Sequence, residues 1–171
     1  MGSCFARYLG QTLRTLGYQT PCFEGSAESR GAFSANYGNI YTARQALQLF
    51  EESRGNFQRS RYAWETGQGT WIDCFRPQAF EKAFAYEGEV LAERKKHLQA
   101  VATAVENLDV LVFTMGLTEA WELLDCGSVL PIAPGVLGGP YNKADYGSVV
   151  FSHDEVLRDL EQLLELLADM R

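Results

Sequence analysis

The sequence predicts an α/β protein in which helices cross over between the strands of a parallel sheet. Two observations lead to this prediction. Segments with apolar residues at helical spacing alternate along the chain with short apolar segments that fit strands. One of these, Asp109–Met115 (DVLVFTM), is a continuous apolar run rich in β-branched residues, which is typical of a strand buried on both faces. The length of 171 residues fits a single domain over residues 1–171.

The N-terminal segment is predicted to form a helix, a short strand and a long loop. Apolar residues at helical spacing indicate a helix over Cys4–Leu16, with Gly17 as its C-terminal cap. Tyr18–Phe23 fits a short strand, and its proline confines it to an edge or an irregular end of a sheet. Glu24–Asn36 is rich in small residues and is interpreted as a loop.

The middle of the chain is predicted to contain a helix, a hairpin and a second, longer helix. Thr42 and Gln45 form a capping box that begins the first of these helices. Tyr62–Trp64 and Thr70–Phe75 flank the turn sequence TGQG, which indicates a hairpin. Amphipathic spacing then predicts a long helix over 86–107.

The C-terminal segment is predicted to form a second hairpin, a short strand and a final helix. The hairpin pairs Trp121–Leu124 with Val129–Ile132 around DCGS, and Val149–Phe151 is a short strand. Ser152 and Glu155 form another capping box, so the last helix begins there and runs to the terminus.

Composition restricts the class of partner. A formal net charge of −7 argues against nucleic acid or an anionic membrane as the main partner, because both need a basic face. A neutral or carbohydrate-like substrate fits better. No apolar run is long enough to span a bilayer and no signal peptide is visible, so we expect a cytoplasmic protein. The cysteines occur singly, and we expect neither a metal site nor a cofactor.

Ser3 is the first candidate for chemistry. A serine just before a helix can act as a nucleophile, because the N–H groups of the first helical turn face any negative charge that develops nearby. The same serine can equally be a simple helix N-cap. Cys4, next in sequence, is a weaker candidate because nothing near it in sequence suggests a lowered pKa.

Two further segments offer polar groups beside glycines. Gly38 allows the backbone to approach a ligand closely, and Asn39 offers both a donor and an acceptor, although a Gly-Asn turn has the same sequence. Gly116, Thr118 and Glu119 follow the predicted buried strand. In a parallel α/β sheet they would therefore emerge at the edge where active sites gather.

These segments together resemble the GSCFA domain family. GSCFA at Gly2–Ala6 is the eponymous motif. FSANYGNIYTARQALQL at Phe33–Leu49, WIDCFRPQ at Trp71–Gln78 and VFTMGLTEAW at Val112–Trp121 are similar to its other recurrent blocks. The resemblance covers nearly the whole chain. It implies membership of the SGNH hydrolase group, with a flavodoxin-like three-layer sandwich around a parallel sheet.

The resemblance also implies roles for individual residues. Ser3 would be the nucleophile and an oxyanion donor, and the Gly38 N–H would face the oxyanion. In the third block Thr118 stands where the group usually has Asn, so a third oxyanion donor would reach the site through water. The implied activity is ester hydrolysis or acyl transfer on small esters or O-acetylated glycans.

The general base is the missing part of this prediction. His97 lies among charged residues in a predicted helix and His153 follows the Ser152 cap, so both are interpreted as surface residues. The resemblance implies a chain truncated at both ends, lacking the first strand and a C-terminal segment that carries an acid and a histidine. We therefore expect this chain alone to be inactive or nearly so.

A non-catalytic domain that binds saccharides or a partner protein is the alternative. Aromatic residues make up 12% of the chain, and some of them could stack on sugars, namely Trp64, Trp71, Trp121 and Tyr141. Core or hairpin packing explains the same residues. The sequence does not specify the oligomeric state.

Overall fold

The structure is a computed structural model that describes residues 1–2, 4–25 and 33–170. The described part contains four helices and five short strands. In chain order they are α1 (Cys4–Thr15), α2 (Ala43–Ser53), β1 (Ala63–Glu65), β2 (Trp71–Asp73), α3 (Glu87–Glu106), β3 (Glu119–Leu123), β4 (Ser128–Leu130), β5 (Tyr146–Val150) and α4 (His153–Asp169).

All four predicted helices are confirmed, and local signals account for their ends. After α1, Gly17 has φ 87°, the Gly17 N–H donates to Arg14 O at 3.0 Å and the Tyr18 N–H donates to Leu13 O at 3.0 Å. This is the Schellman arrangement expected of a glycine cap. Both predicted capping boxes, which begin α2 and α4, are formed in full.

The two predicted hairpins are also confirmed. β1 and β2 pair antiparallel with Trp64 opposite Ile72. β3 and β4 pair antiparallel with Trp121 opposite Leu130, and β5 adds to the other side of β3, giving the order β4-β3-β5. Every strand neighbour is therefore close in sequence or reached by one loop, as hairpin-based sheets require.

The predicted parallel, flavodoxin-like three-layer sandwich is wrong. Both sheets of the described residues are antiparallel, and the one parallel pairing among those residues is an isolated bridge between Gly2 and Thr114. Asp109–Met115 forms no strand: Val110 is 77% exposed and Val112 is 40% exposed. Its apolar residues are divided between two environments, because Leu111 and Phe113 pack against the apolar core that contains Phe50 and Val101, whereas Val110 and Val112 are exposed.

The predicted strand Tyr18–Phe23 is wrong as well. The segment has no regular structure and Tyr18 is exposed. Its last residue is held by a loop contact instead, because the Phe23 N–H donates to Ser34 O at 2.7 Å. Pro21, which cannot donate a hydrogen bond, suits such an irregular segment.

Two apolar cores hold the elements together. The first lies among α2, α3 and α4 and includes Phe50, Val101 and Leu163. The second lies between the sheets, where Trp64 is fully buried and donates from Nε1 to the Tyr146 hydroxyl at 2.9 Å. α2 contacts α3, α4 and β4, so it joins the two cores. None of the helices in the described residues is long and apolar enough to cross a membrane.

Candidate functional site

Three of the predicted site segments lie side by side. The Thr114 N–H donates to Met1 O at 3.2 Å, and the Ile40 N–H donates to Gly2 O at 3.2 Å. The chain after Thr114 then reaches the second segment directly, because the Gly116 N–H donates to Tyr41 O at 3.0 Å. The first two residues are thus hydrogen-bonded to both of the other segments.

Only glycine fits at position 2, because the junction leaves no space for a side chain. It has φ 140°, and a Cβ on it would lie 2.3 Å from Thr114 Oγ1 and 2.7 Å from Thr114 O. No side chain fits there. Thr114 Oγ1 is itself buried and has no hydrogen-bond partner among the described residues, so a polar atom next to the GSCFA segment is left unsatisfied.

The predicted nucleophile Ser3 lies outside the described residues. The helix that follows it begins at Cys4, so Ser3 directly precedes α1 in sequence. Its role as a nucleophile stays a prediction. Its described neighbours are Gly2, which forms an isolated bridge with Thr114, and the helix α1.

Gly38 and Asn39 lie in the irregular segment 36–40, called the 36–40 turn below, which packs against Arg76. Gly38 has φ 68°, and a Cβ on it would lie 3.3 Å from Arg76 Cα. Asn39 Nδ2 donates to Gln78 Oε1 at 3.4 Å, which is a long and weak hydrogen bond. Both residues are partly exposed, so the turn has a solvent-facing side.

The third predicted group, Gly116, Thr118 and Glu119, is divided: Gly116 contacts Tyr41, whereas Thr118 and Glu119 lie at the start of β3. The Gly116 N–H is already used by Tyr41 O, so it is not free to bind an oxyanion in this structure. Thr118 O accepts from the Phe151 N–H at 2.8 Å, and Glu119 pairs with Val150 at the start of β3. The side chains of Thr118 and Glu119 are exposed. They lie at the N-terminal end of β3, the central strand of the three-stranded sheet.

A buried ion network that the sequence analysis missed lies next to the turn. His97 Nδ1 lies 2.5 Å from Glu24 Oε2, and Arg76 donates to Glu24 Oε1 at 2.9 Å. Arg76 Nε also donates to Asp73 Oδ2 at 2.8 Å. The interpretation of His97 as a surface residue is therefore wrong, since its ring is fully buried.

The network continues into the second core. Arg94 contacts Asp73 and forms two hydrogen bonds with Glu52, and Arg59 Nε donates to Glu52 Oε2 at 2.6 Å. Arg59 also donates to Gln48 Oε1 at 3.3 Å. Three arginines thus face three carboxylates, so each buried charge has a partner of opposite sign.

Spacing along α3 could have revealed this network. Val90, Arg94, His97 and Val101 recur at helical intervals, and all four are buried on the same face. The charged neighbours of His97 in the sequence had instead favoured a position on the surface. An arginine and a histidine in register with buried valines are the signal that was available.

Burial and charge decide the protonation of the network. Burial and the charge of Arg76 lower the pKa of His97 to about 4, so the ring is neutral at neutral pH. Burial alone would raise the pKa of Glu24, but the hydrogen bond with His97 and the charge of Arg76 outweigh it and lower the pKa to about 2. The proton of the pair therefore stays on His97 Nδ1, which donates to the Glu24 carboxylate. His97 Nε2 is also buried, and it has no hydrogen-bond partner within the part of the chain that the structure describes.

A cleft of about 580 Å³ opens beside the turn, and its volume is in the range of small-molecule sites. Aromatic and polar side chains line it together, including Phe23, Glu24, Asn36, Phe80, Glu93 and Lys96. The described residues contain no cluster of histidine, cysteine, aspartate and glutamate suited to a metal ion. The second histidine, His153, lies at the start of α4 with an exposed side chain.

Comparison with known proteins assigns the chain to a family. The model of the GSCFA family matches residues 1–171, and the chain belongs to that family. Neither the curated proteins nor the solved structures contain a significant match.

Proposed function

We propose that the chain carries an ester hydrolase or acyltransferase site of the SGNH type, with Ser3 as the nucleophile. The observation that supports it most is the hydrogen-bonded junction of three segments distant in sequence, at Gly2, Ile40–Tyr41 and Thr114–Gly116. The junction brings Gly2, the last described residue before Ser3, into contact with two segments that bear polar groups. The proposal concerns the chemistry of the site and not the discarded sandwich fold.

The proposed reaction is acyl transfer to the serine hydroxyl. Ser3 Oγ adds to the acyl carbon and gives a tetrahedral oxyanion, and the collapse of this intermediate breaks the bond from that carbon to the alcohol oxygen of the ester. The N–H groups at the start of α1 would stabilise the oxyanion that forms in between. The Ser3 proton passes to solvent, the leaving alkoxide takes one from water, and a second water or an acceptor alcohol then removes the acyl group.

Water is the proton acceptor in this proposal because neither histidine suits the role. The His97 ring is fully buried with its Nδ1 bound to Glu24, and the His153 side chain is exposed on another element. A serine without a neighbouring base loses a factor of about 10²–10⁴ in rate. We therefore expect slow acylation and still slower turnover, which lets the acyl-enzyme accumulate.

The proposed substrates are neutral esters, including O-acetylated glycans. Three carboxylates and one lysine line the cleft, namely Glu24, Glu81, Glu93 and Lys96. Lys96 is already paired with Glu93 at 2.5 Å. Such a lining disfavours anionic ligands and offers acceptors to hydroxyl groups. The glycan assignment rests on analogy with the wider hydrolase group.

Covalent labelling tests the proposal without requiring turnover. Incubation with 4-nitrophenyl acetate should add one acetyl group to the N-terminal peptide, located on Ser3 by tandem mass spectrometry. Ser3→Ala should abolish the label, and Cys4→Ser should leave it unchanged, since it removes only the neighbouring thiol. A label that persists in Ser3→Ala would remove Ser3 from the mechanism.

A binding domain without catalysis is the second candidate, supported by a different observation. Trp121 and Tyr141 contact each other edge to face, with ring centroids 5.6 Å apart, and Tyr141 is exposed. An exposed aromatic of this kind can stack on a sugar ring. Saccharide binding that Tyr141→Ala abolishes, together with no Ser3 acetylation, would favour this candidate.

A further inference from the structure

The main chain of Asn36 is held from both sides by the buried ion network. The Asn36 N–H donates to Glu24 Oε2 at 2.8 Å, and Arg76 donates to Asn36 O at 3.2 Å. The side chain is fixed as well, because Asn36 Nδ2 donates to Ala79 O at 2.8 Å. Three hydrogen bonds therefore set the position and the direction of the chain just before Gly38.

Arg76 is itself immobilised. Its side chain is 1% exposed, and its guanidinium is bound by Asp73 on one edge and Glu24 on the other. Asp73 is fixed in turn, because its other oxygen accepts from the Phe75 N–H at 2.9 Å. A planar guanidinium held by two carboxylates has a single orientation, which makes it suited to positioning a third group.

The turn also rests on Arg76 through direct packing. A Cβ on Gly38 would lie 3.3 Å from Arg76 Cα and 3.4 Å from Arg76 Cβ, so the two chains are in van der Waals contact. At the far end of the turn, the Ile40 N–H bonds to Gly2 O. Arg76 is thus connected through the five residues 36–40 to Gly2, which precedes Ser3.

We propose that Arg76 is a positioning residue: with Glu24 as its second arm, it fixes the 36–40 turn against the N-terminal segment and so presents Gly38 and Asn39 to the substrate. The presentation of Gly38 and Asn39 to a substrate rests on the proposed hydrolase function. The clamp on the turn stands on contacts between described residues alone. His97 supports the same arm, because its bond to Glu24 Oε2 orients that carboxylate.

The competing explanation is that Arg76 only stabilises the core. Arg59 provides the matched control because it is also buried, at 5% exposure, and also ion-paired, at 2.6 Å to Glu52. It does not belong to the turn contacts described above. Arg59→Lys and Arg76→Lys both keep the charge and lose the planar fork. A stabilising role predicts similar effects of the two substitutions, whereas a positioning role predicts different ones.

Hydrogen exchange of the full chain, read residue by residue, separates the two explanations. In Arg76→Lys the amides of the 36–40 turn should exchange about tenfold faster relative to the α3 amides, as expected from the loss of one buried charge-assisted hydrogen bond. In Arg59→Lys that ratio should stay at the wild-type value. Glu24→Gln provides a second variant that weakens the same clamp, should Arg76→Lys fail to fold.

Ser3 acetylation by 4-nitrophenyl acetate is the second readout. Its rate should fall in Arg76→Lys and remain at the wild-type level in Arg59→Lys. Equal effects of the two lysine variants on the turn, or an unchanged turn in both Arg76→Lys and Glu24→Gln, would overturn the clamp. Absence of Ser3 acetylation in the wild type would instead refute the hydrolase proposal, and the exchange ratio would still decide on the clamp.

Discussion

The buried His97 makes stability depend on pH in a window that can be calculated. The ring has its pKa lowered from 6.5 to about 4 in the folded chain. The unfolded chain therefore binds more protons than the folded one between these values. The contribution of His97 to stability must therefore fall as the pH is lowered from 6.5, and this contribution levels off below about 4. Between pH 7 and pH 5 the loss amounts to about 2 kcal/mol.

The groups that face His97 explain the direction of its shift. Burial disfavours the charged imidazolium, and the positive charge of Arg76 disfavours it further, whereas the Glu24 carboxylate favours it. Because the first two effects outweigh the third, the ring stays neutral. The pKa of Glu24 is lowered from 4.5 to about 2, so its contribution to stability is lost only as the pH falls from about 4.5, and it adds little to the change between pH 7 and pH 5.

His97→Asn tests this calculation, because an Asn amide can replace the Nδ1 donor to Glu24 but does not titrate. Urea unfolding followed by circular dichroism at pH 7 and pH 5 should show the full loss in the wild type. The loss should be about 2 kcal/mol smaller in His97→Asn. His153→Asn, which replaces the exposed histidine, should behave as the wild type. An identical pH dependence in the wild type and His97→Asn would refute the reasoning.

Three substitutions test the local geometry. Gly2→Ala should break the Gly2–Thr114 bridge, since its Cβ would lie 2.3 Å from Thr114 Oγ1, and deuterium exchange of the Thr114 amide should accelerate. Gly38→Ala should cost about 1–3 kcal/mol in urea unfolding, because φ 68° strains any other residue, whereas Gly67→Ala, with open space around it, should cost less. Thr42→Ala should cost about 1 kcal/mol by removing the cap of α2, and Thr42→Ser should restore most of it.

Helix ends could be predicted because their determinants lie within a few residues of one another. The capping box of Thr42 with Gln45 and the glycine cap at Gly17 are complete in the sequence itself. The hairpins were predictable for the same reason, since a turn such as TGQG joins strands that are neighbours in sequence.

The sheet topology could not be predicted, because it depends on which distant segments pair. The run at 109–115 has the composition of a buried strand, but burial needs partners on both sides. Among the described residues its backbone pairing is limited to an isolated bridge and a hydrogen bond at Met1–Gly2. The prediction of a parallel sheet with crossover helices was therefore wrong. Composition reports how well a segment would pack in a sheet and not whether the partners exist.

The segments that meet at Gly2 could be singled out from the sequence, whereas the pairing within the buried ion network beside them could not. Gly38 and Gly116 were singled out as glycines beside polar residues, and both lie in the segments joined at Gly2. Arg76 was present in the block WIDCFRPQ without an assigned role. Its partner Glu24 is 52 residues away, and Glu24 in turn binds His97. The register of α3 indicates that His97 is buried, but the identity of such distant partners is not visible in a single sequence.

Nuclear Overhauser effects from the Gly2 α-protons test the central claim most directly. The account predicts cross-peaks from these protons to the amide protons of both Ile40 and Thr114, because Gly2 lies between their two segments. Cross-peaks from Gly2 to neither of them, in a chain that is otherwise folded, would separate the N-terminal segment from the other two and contradict the account.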